Sequence, residues 1–395
     1  MVKYELRYNY EVSGMRILFI TRWYPTERNP VSGVFVRDIA EAASISDQVT
    51  VLFSYPENEV RGLYKISKIV EGNVTVIRVK YKKTIPELSY LTYLYTVLRT
   101  FQELRNELRP DIIHAHSYLA GLAGVILGRL CNVPVIVSEH VFAEKSLENK
   151  SMLQCMTNNI RKFVAKLTLN CAELVTTPTS FLREYLESIG VKSKIKIIPN
   201  PVNVNIFYPT NIKHKRYKKI LFVGGLHPVK GLNYLLVALK QLRKKRSDFL
   251  LDVVGDGPFK NKYEKLARDL DIDDIVTFHG QKSKEEVVDF MRECDFLVLP
   301  SVWEAFGIVL IEAMACGKPV VATSCGQREI VNERTGILVP PKNSTALANA
   351  IDYMLDNCQN YSSHEIARYV KEKFSYKAVG KLLHRMYLQV LQEYR

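Results

Sequence analysis

Cysteine and tryptophan are scarce in this chain, and no apolar run is long. Its 395 residues include 7 cysteines and 2 tryptophans. The cysteines are scattered, without C-x-x-C pairs or zinc-ligand spacing, so reduced thiols in a cytoplasmic protein are expected rather than a disulfide framework. Cys316 and Cys325 are read as small packing residues. The longest apolar stretch, Leu119–Gly128, is closed by Arg129 and is too short to cross a bilayer. Residues 1–14, MVKYELRYNYEVSG, lack the apolar core of a signal peptide and are read as an N-terminal extension ahead of the first strand. No G-x-G-x-x-G follows either candidate first strand, which argues against a dehydrogenase. There is also no Walker loop, nucleophile elbow or metal-ligand cluster. The DLDIDD run, Asp269–Asp274, reads as an acidic helix end and not as a D-x-D metal loop.

What the chain does have is positive charge. The formal net charge is +14, with basic clusters at Lys80–Lys83, Lys213–Lys219 and Arg243–Arg246. Such a field favours anionic partners: nucleotides bearing phosphate, acidic glycans, or an anionic membrane surface. Nucleic acid is not expected, because no RNP-like, helix-turn-helix or zinc-finger pattern accompanies the charge.

Apolar strand-like runs alternate with helical stretches along the whole chain. In the first half the strands are Met15–Thr21, Val49–Phe53, Val74–Val79, Asp111–His114, Pro134–Ser138, Glu173–Thr177 and Lys194–Ile198. A proline- and asparagine-rich connector, Ile197–Pro209, breaks the pattern, and Lys219–Val223 restarts it. Further strands are expected at Phe249–Val254, Ile275–Phe278, Asp295–Leu299, Pro319–Thr323 and Gly336–Val339. Strands separated by helices imply parallel sheets with right-handed crossovers. Two such halves imply an α/β protein of two Rossmann-like domains facing a cleft.

The most informative segment is Ser301–Met314, SVWEAFGIVLIEAM. Glu304 and Glu312 stand eight positions apart around Phe306–Gly307, after a strand and Pro300 and at the start of a helix-like run. Strand–loop–helix order puts the helix start at the ligand edge of the sheet, where free N–H groups attract phosphate. Eight helical residues span roughly 12 Å, so the two acids suit opposite ends of an extended polar ligand. A second phosphate-type loop is Val223–Gly231, VGGLHPVKG, where Gly224 and Gly225 clear space and Lys230 supplies charge. His116 and His140 end or follow first-half strands at the carboxyl edge, where open α/β sheets bind ligands. His114 is expected to point into the core.

The E-x7-E spacing within PSVWEAFGIVLIEAMACGKPVVAT resembles the donor-site signature of the retaining glycosyltransferases of family 4, which have the GT-B fold. The resemblance covers nearly all of residues 15–395 and is densest from Lys219 to Pro340. It implies residues 15–200 as an acceptor domain, 201–375 as a nucleotide-sugar donor domain, and 376–395 as a helix crossing back to the first domain. In that family the first Glu lies near the sugar hydroxyls and the second binds the ribose, roles that fall on Glu304 and Glu312. VGGLHPVKG is similar to the family's G-R-L-x-x-x-K-G. It keeps Gly224, Leu226, Lys230 and Gly231 but has Gly225 where arginine is common, leaving the diphosphate to Lys230 and the helix start, with Arg22 or His227 as helpers.

The resemblance places Phe306, Gly307, Ile308 and Val309 along the donor, backbone near Phe278 around the base, and Gly33 at the turn touching donor phosphate and acceptor. His116 and His140 fall near the transferred sugar, and Glu329 reads as structural. The implied reaction uses a UDP- or GDP-sugar and neither a metal nor another cofactor. The implied acceptor is a glycan, a lipid-linked molecule or a small hydroxyl compound. First-domain loops, near residues 55–95 and 141–155, are expected to choose it. Two other readings stay open at this point: a GT-B nucleotide-sugar 2-epimerase, and a non-catalytic nucleotide-sugar or glycan-binding protein.

Overall fold

A computed structural model describes residues 14–83, 86–140, 152–210 and 217–394. Residues 1–13 of the expected extension, 141–151 of the expected acceptor segment and 213–216 of one basic cluster lie outside the described residues.

The first half contains β1 (Arg16–Thr21), α1 (Val34–Ala43), β2 (Gln48–Glu57), β3 (Tyr64–Glu71), β4 (Val74–Lys82), α2 (Pro86–Leu108) and β5 (Ile112–His116). It continues through α3 (Tyr118–Cys131), β6 (Val135–Ser138), α4 (Met152–Asn170), β7 (Leu174–Thr177), α5 (Ser180–Ser188) and β8 (Ile195–Ile197). The second half contains β9 (Lys218–Val223), α6 (Leu232–Arg243), β10 (Phe249–Val254), α7 (Lys260–Asp269), β11 (Val276–Gly280), α8 (Lys284–Glu293) and β12 (Phe296–Leu299). Then come α9 (Ile308–Ala315), β13 (Val320–Thr323), β14 (Gly336–Val339), α10 (Ser344–Asn357), α11 (Ser363–Phe374) and α12 (Tyr376–Tyr394).

The strands form two sheets, ordered β3-β4-β2-β1-β5-β6-β7-β8 and β11-β10-β9-β12-β13-β14. Every pairing is parallel except β3 with β4. Parallel strands are covered on both faces, which is why runs such as Ile17–Ile20 and Phe296–Leu299 read as unbroken apolar sequence and are buried. In the first half α1 and α12 pack on one face and α2, α3, α4 and α5 on the other. In the second half α6, α7 and α10 cover one face, and α8, α9 and α11 the other. The expected pair of Rossmann-like α/β domains with parallel sheets is therefore present.

One element differs from expectation. Much of the span near residues 55–95, read as acceptor-selecting loops, is a β-hairpin of β3 and β4 followed by α2. No residue of β3 is fully buried, so its sequence carries no clean apolar alternation to betray a strand.

The last helix, α12, lies against α1. Gly380 makes this approach, since a methyl group there would collide with the carbonyl oxygen of Ala42. His384 Nδ1 sits 3.0 Å from the Asp47 carboxylate, and the Tyr387 hydroxyl lies 2.9 Å from His114 Nδ1.

Candidate active site

Loops leaving β9, β12 and β13 interlock around Glu304, and glycines make the approach possible. Gly231 has φ +70°, and a methyl group there would strike the carbonyl oxygen of Pro300. Val302 N donates to the Val229 carbonyl at 2.8 Å, tying the same two loops together. From the third loop, Gly326 (φ +67°) lies against the carbonyl oxygen of Glu304. Thr323 Oγ1 donates to the Ser301 carbonyl at 2.6 Å. The Cys325 thiol packs 3.2 Å from the Val302 carbonyl.

Within this frame Lys230 Nζ donates to Glu304 Oε2 at 2.5 Å, and Ser301 Oγ lies 3.3 Å from the same oxygen. Lys230, expected from sequence at the diphosphate, and Glu304, expected at the sugar, thus hold each other. Gly224 and Gly225 differ from Gly231. A methyl group on Gly224 would meet nothing closer than Phe222 Cζ at 3.7 Å, and one on Gly225 nothing closer than His227 Cδ2 at 3.3 Å. A side chain at either position would meet little, and Gly225 is exposed, although the Gly224 backbone is itself covered by Gly255.

Beside the pair, α9 starts at Gly307. Its N–H donates to Gln327 Oε1 at 3.2 Å, and Gln327 is fully buried with Nε2 unpartnered. A polar donor buried without a partner is costly, so Gln327 is a candidate ligand contact that the sequence pattern SCGQREI did not single out. Ile308 and Val309 are half-buried at the start of α9. Phe306 turns its ring into the core, 6.1 Å from Phe374, which leaves only its backbone to face a ligand. Glu312 is partly buried one helical turn on, and burial pushes its carboxyl up to about 8, against the pull of Lys284 and with a push from Asp38 of α1. Phe278, on β11, is partly buried against the second-half core. Next to it, His279 Nε2 lies 2.7 Å from Asp252 Oδ1.

The first-domain side is built differently. His116 and His140 are buried, and His116 Nδ1 lies 3.0 Å from His140 Nε2. Burial lowers both imidazoles, His140 to about 3. His116 Nε2 and His140 Nδ1 have no partner among the described residues, and neither ring is hydrogen-bonded to Lys230 or Glu304. His114 lies in the core, bonded to Tyr387 and, at 2.6 Å, to Ser138, which continues the chain to Thr176. Gly33 caps α1 with φ +69°, and a methyl group there would hit the backbone of Trp23 and Tyr24. Close packing therefore accounts for this glycine by itself. Arg22 stacks over Tyr93, 5.1 Å from the ring centre.

The two domains touch beside Glu304. Thr179 Oγ1 donates to the Ala305 carbonyl at 2.9 Å, and Ser180 N donates to Glu329 Oε1 at 2.8 Å. Trp303 packs against Phe181, with ring centres 6.1 Å apart. Glu329 thus has a structural partner across the domains, at the start of α5.

Comparison with known proteins agrees with this architecture. Residues 207–373 match Glycosyl transferases group 1, and residues 32–206 match Glycosyltransferase Family 4. The D-inositol 3-phosphate glycosyltransferase of Pseudarthrobacter chlorophenolicus is 30% identical over 294 residues, 70% of each chain. Sucrose-phosphate synthase from Thermosynechococcus elongatus superposes with a TM-score of 0.77 at 24% identity, over 95% of this chain and 99% of that one. Anabaena HepE in complex with UDP and glucose superposes with a TM-score of 0.70 at 21% identity, over 95% and 100% of the two chains. Two Rossmann-like domains, the E-x7-E helix start and these likenesses lead to one conclusion: the chain belongs to the group 1 glycosyltransferases and has the GT-B fold.

Proposed function

We propose that this glycosyltransferase moves a sugar, with retention, from a UDP- or GDP-sugar to a hydroxyl of a glycan, lipid-linked or small-molecule acceptor. The observation that carries the reading is the Lys230–Glu304 pair beside the start of α9, with Gly224 next to the Lys230 side chain and Gly225 exposed. The donor diphosphate takes Lys230 and the start of α9, where the Gly307 N–H exchanges Gln327 Oε1, and the Ile308 N–H the Phe306 carbonyl, for phosphate oxygen beside the Val309 N–H. Glu304, released, accepts hydrogen bonds from the sugar hydroxyls, and Glu312 holds the ribose. Fixed positive charge where the leaving group becomes more anionic stabilises the transition state. The anomeric C–O bond to phosphate breaks, the acceptor oxygen bonds to the same face, and its proton goes to a phosphate oxygen. His116 and His140 border the transferred sugar as neutral imidazoles; one N–H is spent between the rings, so the pair offers the sugar one donor and one acceptor.

UDP is the favoured nucleotide, because HepE, with the same fold, holds UDP and glucose. The reaction needs no metal, so turnover in excess EDTA is expected to equal that without it. Cys131, Cys171, Cys294, Cys316, Cys325 and Cys358 are unpaired, which suits a cytoplasmic enzyme. Among the described residues no helix is long and apolar enough to cross a membrane, and we place the enzyme at the inner membrane face as a peripheral protein.

The test pairs calorimetry of UDP and GDP binding with transfer of labelled sugar, for wild type, Glu304→Gln and Glu312→Gln. Glu312→Gln should weaken nucleotide binding, while Glu304→Gln should cut turnover and leave nucleotide affinity nearly intact. Equal loss of nucleotide affinity in both variants overturns the assigned roles. An epimerised nucleotide sugar formed without acceptor would replace transfer with the epimerase reading.

A further inference from the structure

The chain passes between the two domains twice, and the two passages lie side by side. The first is the connector after β8. The second is the junction of α11, packed on the second domain, with α12, packed on the first. Val202 N donates to the Phe374 carbonyl at 2.8 Å, and Val202 and Ser375 form an isolated parallel bridge. A change in the angle between the domains must bend these two segments.

A cavity of about 1060 Å³ opens against both of them, a volume typical of small-molecule sites. Phe207 and Tyr208 line it from the connector, and Ser375 and Tyr376 from the helix junction. Ile45, just after α1, borders it from the first domain, and Ala315, at the end of α9, from the second. Tyr208 is steadied by the Arg292 guanidinium, 4.3 Å from its ring centre, yet is still 46% exposed. The cavity thus offers ring and aliphatic surface.

Its charge is one-sided. Arg368, Lys371, Lys377 and Lys381 line it against a single acid, Glu372. Arg368 reaches Glu365 of its own helix at 3.8 Å, whereas the exposed Lys371, Lys377 and Lys381 have no ion-pair partner among the described residues. Helix stability accounts for Lys371, which lies in the last turn of α11, where a cation is favoured. It does not account for the other two. Helix α12 has no acid in its first turn, and Lys377 stands there with Lys381 one turn on, at the end that the helix dipole already makes positive. Positive charge is therefore gathered here against the preference of the helix that carries it. A phosphate group answers that charge, and a ring or hydrocarbon portion answers the apolar wall.

We propose that this cavity is a second ligand site, for a small phosphorylated molecule with a ring or hydrocarbon portion, and that its occupancy adjusts the affinity of the cleft for the donor. Only the adjustment rests on the glycosyl-transfer reading.

The experiment is calorimetry of phenyl phosphate with the full chain, the donor loops first saturated with UDP, beside inorganic phosphate and phenol. Phenyl phosphate should bind about tenfold or more tightly than either fragment, since it adds ring burial to the charge contact. Lys377→Glu combined with Lys381→Glu should weaken it about tenfold or more, by setting anion against anion. The melting temperature of that variant should not fall, because acids suit a helix start, and its UDP affinity without phenyl phosphate should equal that of wild type. Phenyl phosphate and UDP should shift each other's affinity by one common factor, about threefold or more. Phenyl phosphate that binds no tighter than inorganic phosphate, or a glutamate variant that binds it like wild type, overturns the site. Affinities that do not shift overturn the adjustment. Failure of wild type to bind UDP would instead count against the donor site, and the lysine comparison would still judge the cavity.

Discussion

The two domains fix their halves of the cleft by different means. In the second, backbone lies on backbone: Gly231 on Pro300, Gly326 on Glu304, Gly255 on Gly224 and Gly257 on Leu226. In the first, buried polar side chains do the positioning, through the run Tyr387–His114–Ser138–Thr176 and the His116–His140 pair. Backbone contacts leave no room for side-chain variation. A buried hydrogen-bonded network leaves room, provided every donor and acceptor stays paired. On the roles proposed here, the second domain's design suits a site that must meet an unchanging diphosphate, and the first domain's suits one that must adapt to an acceptor.

The sharpest way to break the comparison is a methyl group. Gly231→Ala should cost about 3 kcal/mol or more, adding a left-handed backbone to a collision with Pro300, and should abolish UDP binding. Gly225→Ala, six residues earlier, should stay within about 0.5 kcal/mol. Urea denaturation of the pair decides, and equal costs would refute the backbone-lock account.

Next in size is Lys230→Ala, expected to lower turnover about 100-fold, as removal of one preorganised charge-stabilising donor does. Initial rates at saturating donor measure it, and wild-type turnover would contradict the role.

His114→Leu probes the first domain. It takes the Tyr387 hydroxyl's partner away and leaves Ser138 with Thr176 alone, and should cost about 2 kcal/mol by leaving a buried hydroxyl unpaired. A neutral result would show that the network does not hold α12 in place.

The remaining test is in pH. His114 and His140 sit near 3 in the fold against an ordinary 6.5. The unfolded chain gains protons there as pH falls below 6.5 and the fold does not, so stability is lost from 6.5 downward. Glu312 has the opposite sign. Its folded carboxyl stays neutral up to about 8 while the unfolded one ionises above 4.5, so it costs stability as pH rises through that window. Glu312→Gln should therefore melt higher than wild type at pH 8 with no ligand, while binding UDP more weakly. A lower melting temperature would refute the burial argument.

The same contrast explains what the sequence discloses. Parallel strands buried on both faces announce themselves as apolar runs, and the E-x7-E segment with its glycines marks the second-domain loops. Strand β3 escapes because it is half solvated and antiparallel. Gln327 escapes because one glutamine in a turn has no spacing signal, and its importance lies in being buried with one donor unpartnered. Phe306 misleads because an aromatic beside Gly307 reads the same whether it faces a ligand or the core. The pairing of Lys230 with Glu304 joins residues 74 positions apart, and no local pattern encodes it.

That pairing bears on what the enzyme ignores. Inorganic phosphate and pyrophosphate are rivals for any cationic pocket. Here a rival that draws Lys230 away strands the Glu304 carboxylate, and it has no hydroxyl to offer in return. A nucleotide sugar satisfies both partners at once. On the roles proposed here, the acid is a gatekeeper as well as a sugar contact, and the cleft discriminates among phosphates by what each leaves unpaired.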